Sequence, residues 1–400
     1  MTKKEIILKA LSTALSYVLV AALAVVVTLA LTGGGITNTF FPQQDKLDQL
    51  MSLLEKYYID FDEVDKGKLE DAAANAMVNA LGDRWSYYIS AEDYASIQEQ
   101  SANSYVGIGV TVQVREDGQG FDITQLEPGG SAQSSGILPG DVLIGAEGVS
   151  FIGEDLDICS RIIKGKAGTQ VTVTVLRNGE EMTFTLTRQV IMVQVASGQM
   201  LPGNIGLVSI KNFNDRCASE TIAVIENLLS RGATSLVFDV RNNPGGYKHE
   251  LVKLLDYLLP KGVLFRSVDY SGASAEDYSD DKCLKMPMTV LVNSQSYSAA
   301  EFFAAALEEY DWATVVGDPT CGKGNFQYTF QLSDGSGVGL SVGKYYTPNG
   351  VSLADQGGLV PEILVEVTDA QAALIYSGLV EPEDDPQIQA AVEHLKKGTN

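Results

Sequence analysis

The sequence predicts a multidomain α/β protein: an N-terminal transmembrane helix, a helical region, a β-rich module with two helices, and an α/β core. Three observations predict it. No charged residue interrupts positions 10–32 of the 400-residue chain. Apolar positions then recur at helical spacing across 47–95. Further on, buried-strand runs such as Leu236-Val-Phe-Asp-Val240 and Met288-Thr-Val-Leu-Val292 stand beside helical patterns such as Phe302, Phe303, Ala306 and Leu307.

The stretch 10–32 would span about 35 Å as a helix, enough to cross a bilayer core. Lys3, Lys4 and Lys9 precede it, so the positive-inside rule places the remainder of the chain outside the cytoplasm. A cleaved signal peptide is the competing reading. The uncharged stretch is longer than the usual apolar core of such peptides, and no clear small-x-small site closes it, which favours a retained anchor. The predicted organisation is a cytoplasmic stub and anchor over 1–34, with 33–44 as a short linker, and a helical region over 35–100. A β-rich module follows over 101–190, an α/β core over 191–368 and a C-terminal helical region over 369–400. In 35–100, Leu50, Leu53, Leu54, Tyr57, Leu69, Ala73, Met77 and Leu81 form stripes suited either to pairing two copies of the chain or to a lid on the same chain.

In the β-rich module, Tyr105-Val-Gly-Ile-Gly-Val110 and the long stretch Glu127-Pro-Gly-Gly-Ser-Ala-Gln-Ser-Ser-Gly-Ile-Leu-Pro-Gly-Asp-Val-Leu143 closely resemble a PDZ domain. Strands over 171–175 and 182–186 would complete it. PDZ domains add an extended chain end to a sheet edge, and successive backbone amides receive its carboxylate. The resemblance implies that Gly107, Ile108, Gly109 and Val110 form the carboxylate loop.

The core carries the chemistry. Ser298 lies between the strand run ending at Val292 and the helical pattern from Phe302, which predicts a strand-to-helix turn. There a hydroxyl meets the positive end of a helix dipole, and free N–H groups can stabilise an oxyanion. Lys323 follows 25 positions later, flanked by Gly322 and Gly324 and preceding the alternating run 326–332. A lysine accepts a serine proton only when neutral, so its pKa must fall from about 10.4 to roughly 7–8, which desolvation can supply. A serine before a helix also serves as an ordinary N-cap. Gly317-Asp-Pro-Thr-Cys-Gly-Lys323 matches seven positions of a phosphate-binding loop, but Gly324 replaces the magnesium-binding Ser or Thr and a strand follows where a helix should start.

Pro287-Met-Thr-Val-Leu-Val-Asn293, Ser296-Tyr-Ser-Ala-Ala-Glu301, Val316-Gly-Asp-Pro-Thr-Cys-Gly-Lys-Gly324 and Tyr346-Thr-Pro-Asn-Gly350 resemble, in order and spacing, the motifs of the C-terminal processing peptidases, or tail-specific proteases. Gly357-Gly-Leu-Val-Pro-Glu-Ile363 and Asp385-Pro-Gln-Ile-Gln-Ala-Ala391 resemble that family's closing motifs, so the likeness runs from about residue 47 to 395. It implies a serine endopeptidase with Ser298 as nucleophile, Lys323 as general base and Gln327 orienting the lysine. The implied oxyanion donors are the amides of Gly245 or Gly246, in Arg241-Asn-Asn-Pro-Gly-Gly246, and of Ala299. In the family a basic residue, commonly arginine, precedes the Gly-x-x-Gly-Thr stretch, and here it is Lys164, a point charge without arginine's planar fork. Tyr297, Ala300 and Cys321 depart from the family's usual residues and bear on pocket shape. The resemblance further implies protein or peptide substrates with free C-termini and pairing of subunits through the helical region. A peptide-binding scaffold without hydrolysis is the alternative.

Composition sets limits. The formal net charge of −23 disfavours nucleic acid and anionic lipid surfaces as partners. Two histidines, His249 and His394, leave few members for a Ser/His/Asp triad. Cys159, Cys217, Cys283 and Cys321 show no metal spacing, and no cofactor is implied.

Overall fold

The computed structural model describes Val20 and residues 45–377 and 379–398. Apart from Val20, the predicted anchor lies outside them. Among the described residues no helix is long and apolar enough to cross a membrane. The chain divides into a unit comprising residues 1–73 and a larger one comprising 74–400.

In the first unit, α1 (Lys46–Tyr57) starts at Asp45, whose carboxylate accepts the Asp48 N–H, the usual way to satisfy an orphan donor at a helix start. Its apolar residues Leu47, Leu50 and Leu53 are exposed. A short 3₁₀ turn (Phe61–Glu63) leads to α2 (Lys66–Asn79), and Lys66 pairs with Glu55.

The larger unit begins with a departure from the expected all-helical region. The strand β1 (Tyr87–Ile89) follows a turn at 82–86, and α3 (Ala91–Ser101) starts at the N-cap Ser90. The β-rich module then runs β2 (Ser104–Gly107), β3 (Val110–Val114), β4 (Phe121–Leu126), α4 (Ser131–Ser134), β5 (Val142–Ala146), β6 (Val149–Ser150), α5 (Leu156–Ile163), β7 (Gln170–Arg177), β8 (Glu180–Thr187) and β9 (Gln189–Met192). Its main sheet has the order β3-β4-β5-β7-β8, which leaves β3 at an edge. Val171, Val173 and Val175 alternate inward and are fully buried with Ile108, Phe121, Ile123, Ile137 and Leu143. Inside it, Asp141 receives a two-pronged contact from Arg177, at 2.6 and 2.7 Å.

The core comprises β10 (Ala196–Leu201), β11 (Ile205–Ile210), α6 (Cys217–Ser230), β12 (Ser235–Asp239), α7 (Lys248–Leu258), β13 (Val263–Asp269), β14 (Ser274–Tyr278), β15 (Met288–Val292), α8 (Ala299–Glu309), β16 (Ala313–Gly317), β17 (Asn325–Gln331), β18 (Gly337–Tyr346), α9 (Leu353–Gln356), β19 (Ile363–Leu364), α10 (Asp369–Tyr376) and α11 (Pro386–Gly398). A six-stranded sheet in the order β10-β11-β12-β15-β16-β19 is parallel from β11 onwards. Both of its faces are covered, which is why its strands read as continuous apolar runs. Leu236, Phe238, Val290, Val292 and Val315 pack with residues of α6, α7 and α8. Val237, Leu291 and Val316 face Ile388, Ala391, Val392 and Leu395 of α11. A second sheet joins β1, β18, β13 and β14, with β17 also on β18. β1 therefore completes a sheet whose partner strand lies some 250 positions later, since Tyr87 stands opposite Gly339.

Candidate active site

The carboxyl ends of parallel strands are where α/β sheets place their ligand crevices, and the residues singled out in the sequence gather there. β15 ends at Val292, the chain turns, and Ser298 is the N-cap of α8. Ser298 is buried and adopts φ 57° and ψ −127°, a region that non-glycine residues seldom occupy and that costs about 1–3 kcal/mol. Its surroundings hold it there. Ser296 Oγ donates to Val240 O at 2.7 Å and accepts from Asn293 N at 3.0 Å. Tyr297 N donates to Asn243 O at 3.2 Å, and Ser298 N to Glu301 Oε2 at 2.8 Å.

Glu301 is fully buried and ties the two halves of the site together. Its Oε2 also accepts Lys323 N at 2.9 Å, so one oxygen atom holds the backbone of both Ser298 and Lys323. Its Oε1 accepts Gly322 N at 2.6 Å and Thr320 Oγ1 at 2.5 Å. Burial pushes this carboxyl above its ordinary range while the four donors pull it down. Cys321 N adds a bond to Ser296 O at 3.2 Å. The sequence placed Glu301 inside a motif but gave it no task, because its partners other than Ser298 lie 19–22 positions away.

The Lys323 side chain is half-buried and its Nζ makes no hydrogen bond or ion pair among the described residues. It lies 4.7 Å from the centroid of the Trp85 ring and 5.8 Å from that of Tyr297. Burial pushes the Lys323 amine below its ordinary value. The charge of Arg84 acts in the same direction, and Cys321, Glu301 and Asp83 oppose it. Gln327 sits on β17 with its Nε2 donating to Ser341 Oγ at 3.0 Å and Asn325 O at 3.3 Å. The structure thus brings Gln327 to Ser341 and shows no hydrogen bond from it to the lysine.

The glycine turn after β12 closes the crevice. Gly245 has φ +87°, and a Cβ there would come within 2.7 Å of Tyr297 O and 2.8 Å of Ser298 Cβ, so only glycine lets the two turns meet. The Gly245 N–H already donates to Asn243 Oδ1 at 2.8 Å. The amides of Gly246 and Ala299, in contrast, donate to nothing among the described residues. Of the three implied oxyanion donors, these two are the ones left open. Behind the turn, buried Arg241 donates to Asp239 and, at 2.9 Å each, to Asp385 and Gln387 ahead of and within α11. Asn293 Nδ2 reaches the Tyr376 hydroxyl at 2.6 Å.

His249 is exposed and stacks on Tyr247, and His394 pairs with Thr314 Oγ1 at 3.0 Å, so neither imidazole takes part. All four cysteines carry free thiols, and burial pushes that of Cys217 up to about 12.

In the β-rich module, Gly107, Ile108, Gly109, Val110 and Lys164 all line one cavity of about 140 Å³ between the edge strand β3 and α5. Val112, Leu156, Cys159 and Ile163 supply apolar walls. The amides of Ile108 and Gly109 donate to nothing among the described residues. Lys164 caps the end of α5.

A helix-capping serine and a half-buried lysine tied by one glutamate oxygen, with open amides and a module carrying an edge-strand groove, make the layout of a serine-type peptidase. Residues 106–187 match the PDZ domain and residues 204–365 match peptidase family S41, and the chain belongs to that peptidase family. It is 31% identical to the carboxy-terminal processing protease CtpA of Bacillus subtilis (strain 168), over 87% of this chain and 76% of that protein. It is 30% identical to a probable CtpA-like serine protease of Staphylococcus aureus (strain N315), over 84% of this chain and 68% of that protein. Among solved structures it matches a photosystem II D1 C-terminal processing protease at 27% identity and a TM-score of 0.46, covering 81% of this chain and 87% of that one.

Proposed function

We propose that this chain is a membrane-anchored endopeptidase whose PDZ domain captures protein C-terminal ends outside the cytoplasm and delivers the upstream chain to Ser298. Neutral Lys323 takes the hydroxyl proton as Ser298 attacks the peptide carbonyl, and the amides of Ala299 and Gly246 stabilise the oxyanion. Lys323 then protonates the leaving amine, and water activated by the same base releases the acyl group. The observation that carries this reading is the single Glu301 oxygen holding both Ser298 and Lys323 by their backbones, with the half-buried lysine amine making no hydrogen bond among the described residues.

A peptide lying along β3 would gain main-chain hydrogen bonds and set its last side chain in the apolar cavity, with its carboxylate at the Ile108 and Gly109 amides. Extracytoplasmic action rests on the uncharged stretch 10–32 and the lysines before it. The exposed leucines of α1 support pairing of two copies through the helical region.

The test is cleavage of an unstructured protein with an apolar C-terminus by the full-length chain in mild detergent, beside Ser298→Ala and Lys323→Ala. Cleavage by the parent alone is expected. Cleavage by either variant at the parental rate would sink the Ser/Lys assignment, and silence from a folded parent would favour the scaffold.

A further inference from the structure

Four consecutive residues outside the motifs singled out in the sequence enter the site. They form the turn before β1, within the region expected to be helical. Asp83 Oδ1 accepts the Trp85 N–H at 3.1 Å and Asp83 Oδ2 accepts from Ser86 Oγ at 2.6 Å, which folds the turn on itself. Arg84 places its guanidinium 4.1 Å from the Trp85 ring centroid and donates from Nη2 to Cys321 Sγ at 2.9 Å, two residues from the lysine. Trp85 puts its ring beside the Lys323 amine and, 6.0 Å between centroids, beside Tyr297. Ser86 Oγ accepts the Ser341 N–H at 3.1 Å, and Ser341 Oγ is the acceptor for Gln327. The next residue anchors the turn. Tyr87 lies over Gly339, where a Cβ would come within 2.3 Å of its ring, and its hydroxyl meets Thr329 Oγ1 at 3.0 Å.

We infer that the turn Asp83-Arg84-Trp85-Ser86 is a positioning element for the base, with Trp85 closing the lysine's cavity against water and Ser86 fixing Gln327 through Ser341. The inference rests on the Ser/Lys reading above and adds to it the group that keeps the lysine dry. The amine has no hydrogen-bond partner among the described residues, so the rings of Trp85 and Tyr297 define where it sits. The titratable ring of Tyr297 faces it, and the groups that act on it by charge are Cys321, Glu301, Asp83 and Arg84. Of these, only Arg84 favours the neutral amine, and Arg84 is itself held on the Trp85 ring. Removing that ring therefore weakens both influences that favour the neutral amine. A cation–π contact with the ring acts the other way, but burial is the larger effect at this amine.

The experiment compares the pH dependence of kcat/KM for the full-length parent, Trp85→Phe, Trp85→Leu and Arg84→Ala. Alongside it, the Lys323 ¹³Cε resonance is titrated in each chain carrying Ser298→Ala, with Lys323→Arg to assign the signal. The expected result for Trp85→Leu is a displacement of the acidic limb and of the resonance midpoint to higher pH by the same amount. Activity at neutral pH would fall about tenfold per unit of displacement. Trp85→Phe, which keeps a ring, should restore most of the parental profile, and Arg84→Ala should show a smaller shift in the same direction. If Trp85→Leu does not fold, as read from Trp312 fluorescence, the Trp85→Phe and Arg84→Ala shifts decide. A fall in kcat with limb and resonance unmoved would mean that the turn only supports the fold, and would overturn the inference. Parental activity in Lys323→Ala would instead overturn the Ser/Lys reading beneath it.

Discussion

Replacing Gly245 by alanine separates two effects that usually arrive together. The residue has φ +87°, so any side chain meets backbone strain of about 1–2 kcal/mol. Its Cβ would also stand 2.7 Å from Tyr297 O, 2.8 Å from Ala299 N and 2.8 Å from Ser298 Cβ. None of these is the flexible end of a side chain, so the serine turn must retreat, at about 1–3 kcal/mol for overpacking. Gly272 supplies the control. Its φ is +83°, in the hairpin between β13 and β14, and a Cβ there meets nothing within 4 Å. Gly272→Ala should therefore carry the strain alone, about 1–2 kcal/mol, while Gly245→Ala should lose about 2–5 kcal/mol. The unfolded-chain entropy gained from alanine is common to both and cancels. The two tryptophans, Trp85 and Trp312, both lie outside the PDZ module. Urea unfolding followed by fluorescence then reports the catalytic module without assuming a single transition for the whole chain. Because the displaced atoms belong to Ser298 and its neighbours, kcat should fall about 10²-fold in Gly245→Ala and stay parental in Gly272→Ala. Equal destabilisation of the two variants, with kcat retained in both, would refute the reasoning that this glycine exists to let the two turns touch.

Three other outcomes are expected. Arg241→Met leaves the partly buried Asp239 and the buried Asp385 carboxylates without their guanidinium and should lower the urea stability by about 3–5 kcal/mol; a loss under about 1 kcal/mol would mean that water replaces the guanidinium. Glu301→Gln turns one acceptor oxygen into an amide facing two donors, losing one or two bonds of about 1.5–3 kcal/mol each, and kcat should drop at least about tenfold; an unchanged kcat would show that the carboxylate does not set the site's geometry. Hydrogen bonding to Arg177 holds the Asp141 carboxyl below its ordinary value, so its contribution is fully present above the unfolded pKa and disappears as pH falls through the lower folded value. The PDZ module should lose stability below about pH 4, as read from the methyl signals of Val171 and Val173, and Asp141→Asn should flatten that loss.

Local patterns carried a good part of this molecule. The strand runs at Leu236 and Met288, the helix after Ser298 and the alternating run after Lys323 all match elements of the structure, because burial on both faces or on one leaves its period in the sequence. Gly109 of the PDZ loop and the glycines of the turn at 245–246 were legible for a similar reason, since their backbone conformations exclude most side chains. What was not legible is pairing over distance. β1 is three residues long and takes its identity from β18, so nothing local marks it as a strand. Trp85 opens a short aromatic stretch with Tyr87 and Tyr88 after a helix, and its place beside Lys323 follows only from that pairing. The Gly245 amide looked available in the sequence because its acceptor is a side chain, Asn243, whose rotamer no pattern encodes. Gln327 likewise has the expected position on β17 but an amide directed to Ser341, which sits 14 residues on, across the β17–β18 hairpin.

The network around Arg241 sets an order of events during synthesis. The glycine turn that faces Ser298 is braced by Asp385 and Gln387, which are translated 144 and 146 residues later, and by Asn293 through Tyr376. At about 5–20 residues per second, roughly 7–30 s pass between emergence of the turn and of its brace. During that interval Arg241 has only Asp239 to hold it, and the sheet face that α11 covers is bare. The turn that faces Ser298 thus reaches its braced form only after residues 385 and 387 have been made, so the crevice is among the last parts of the peptidase core to be completed.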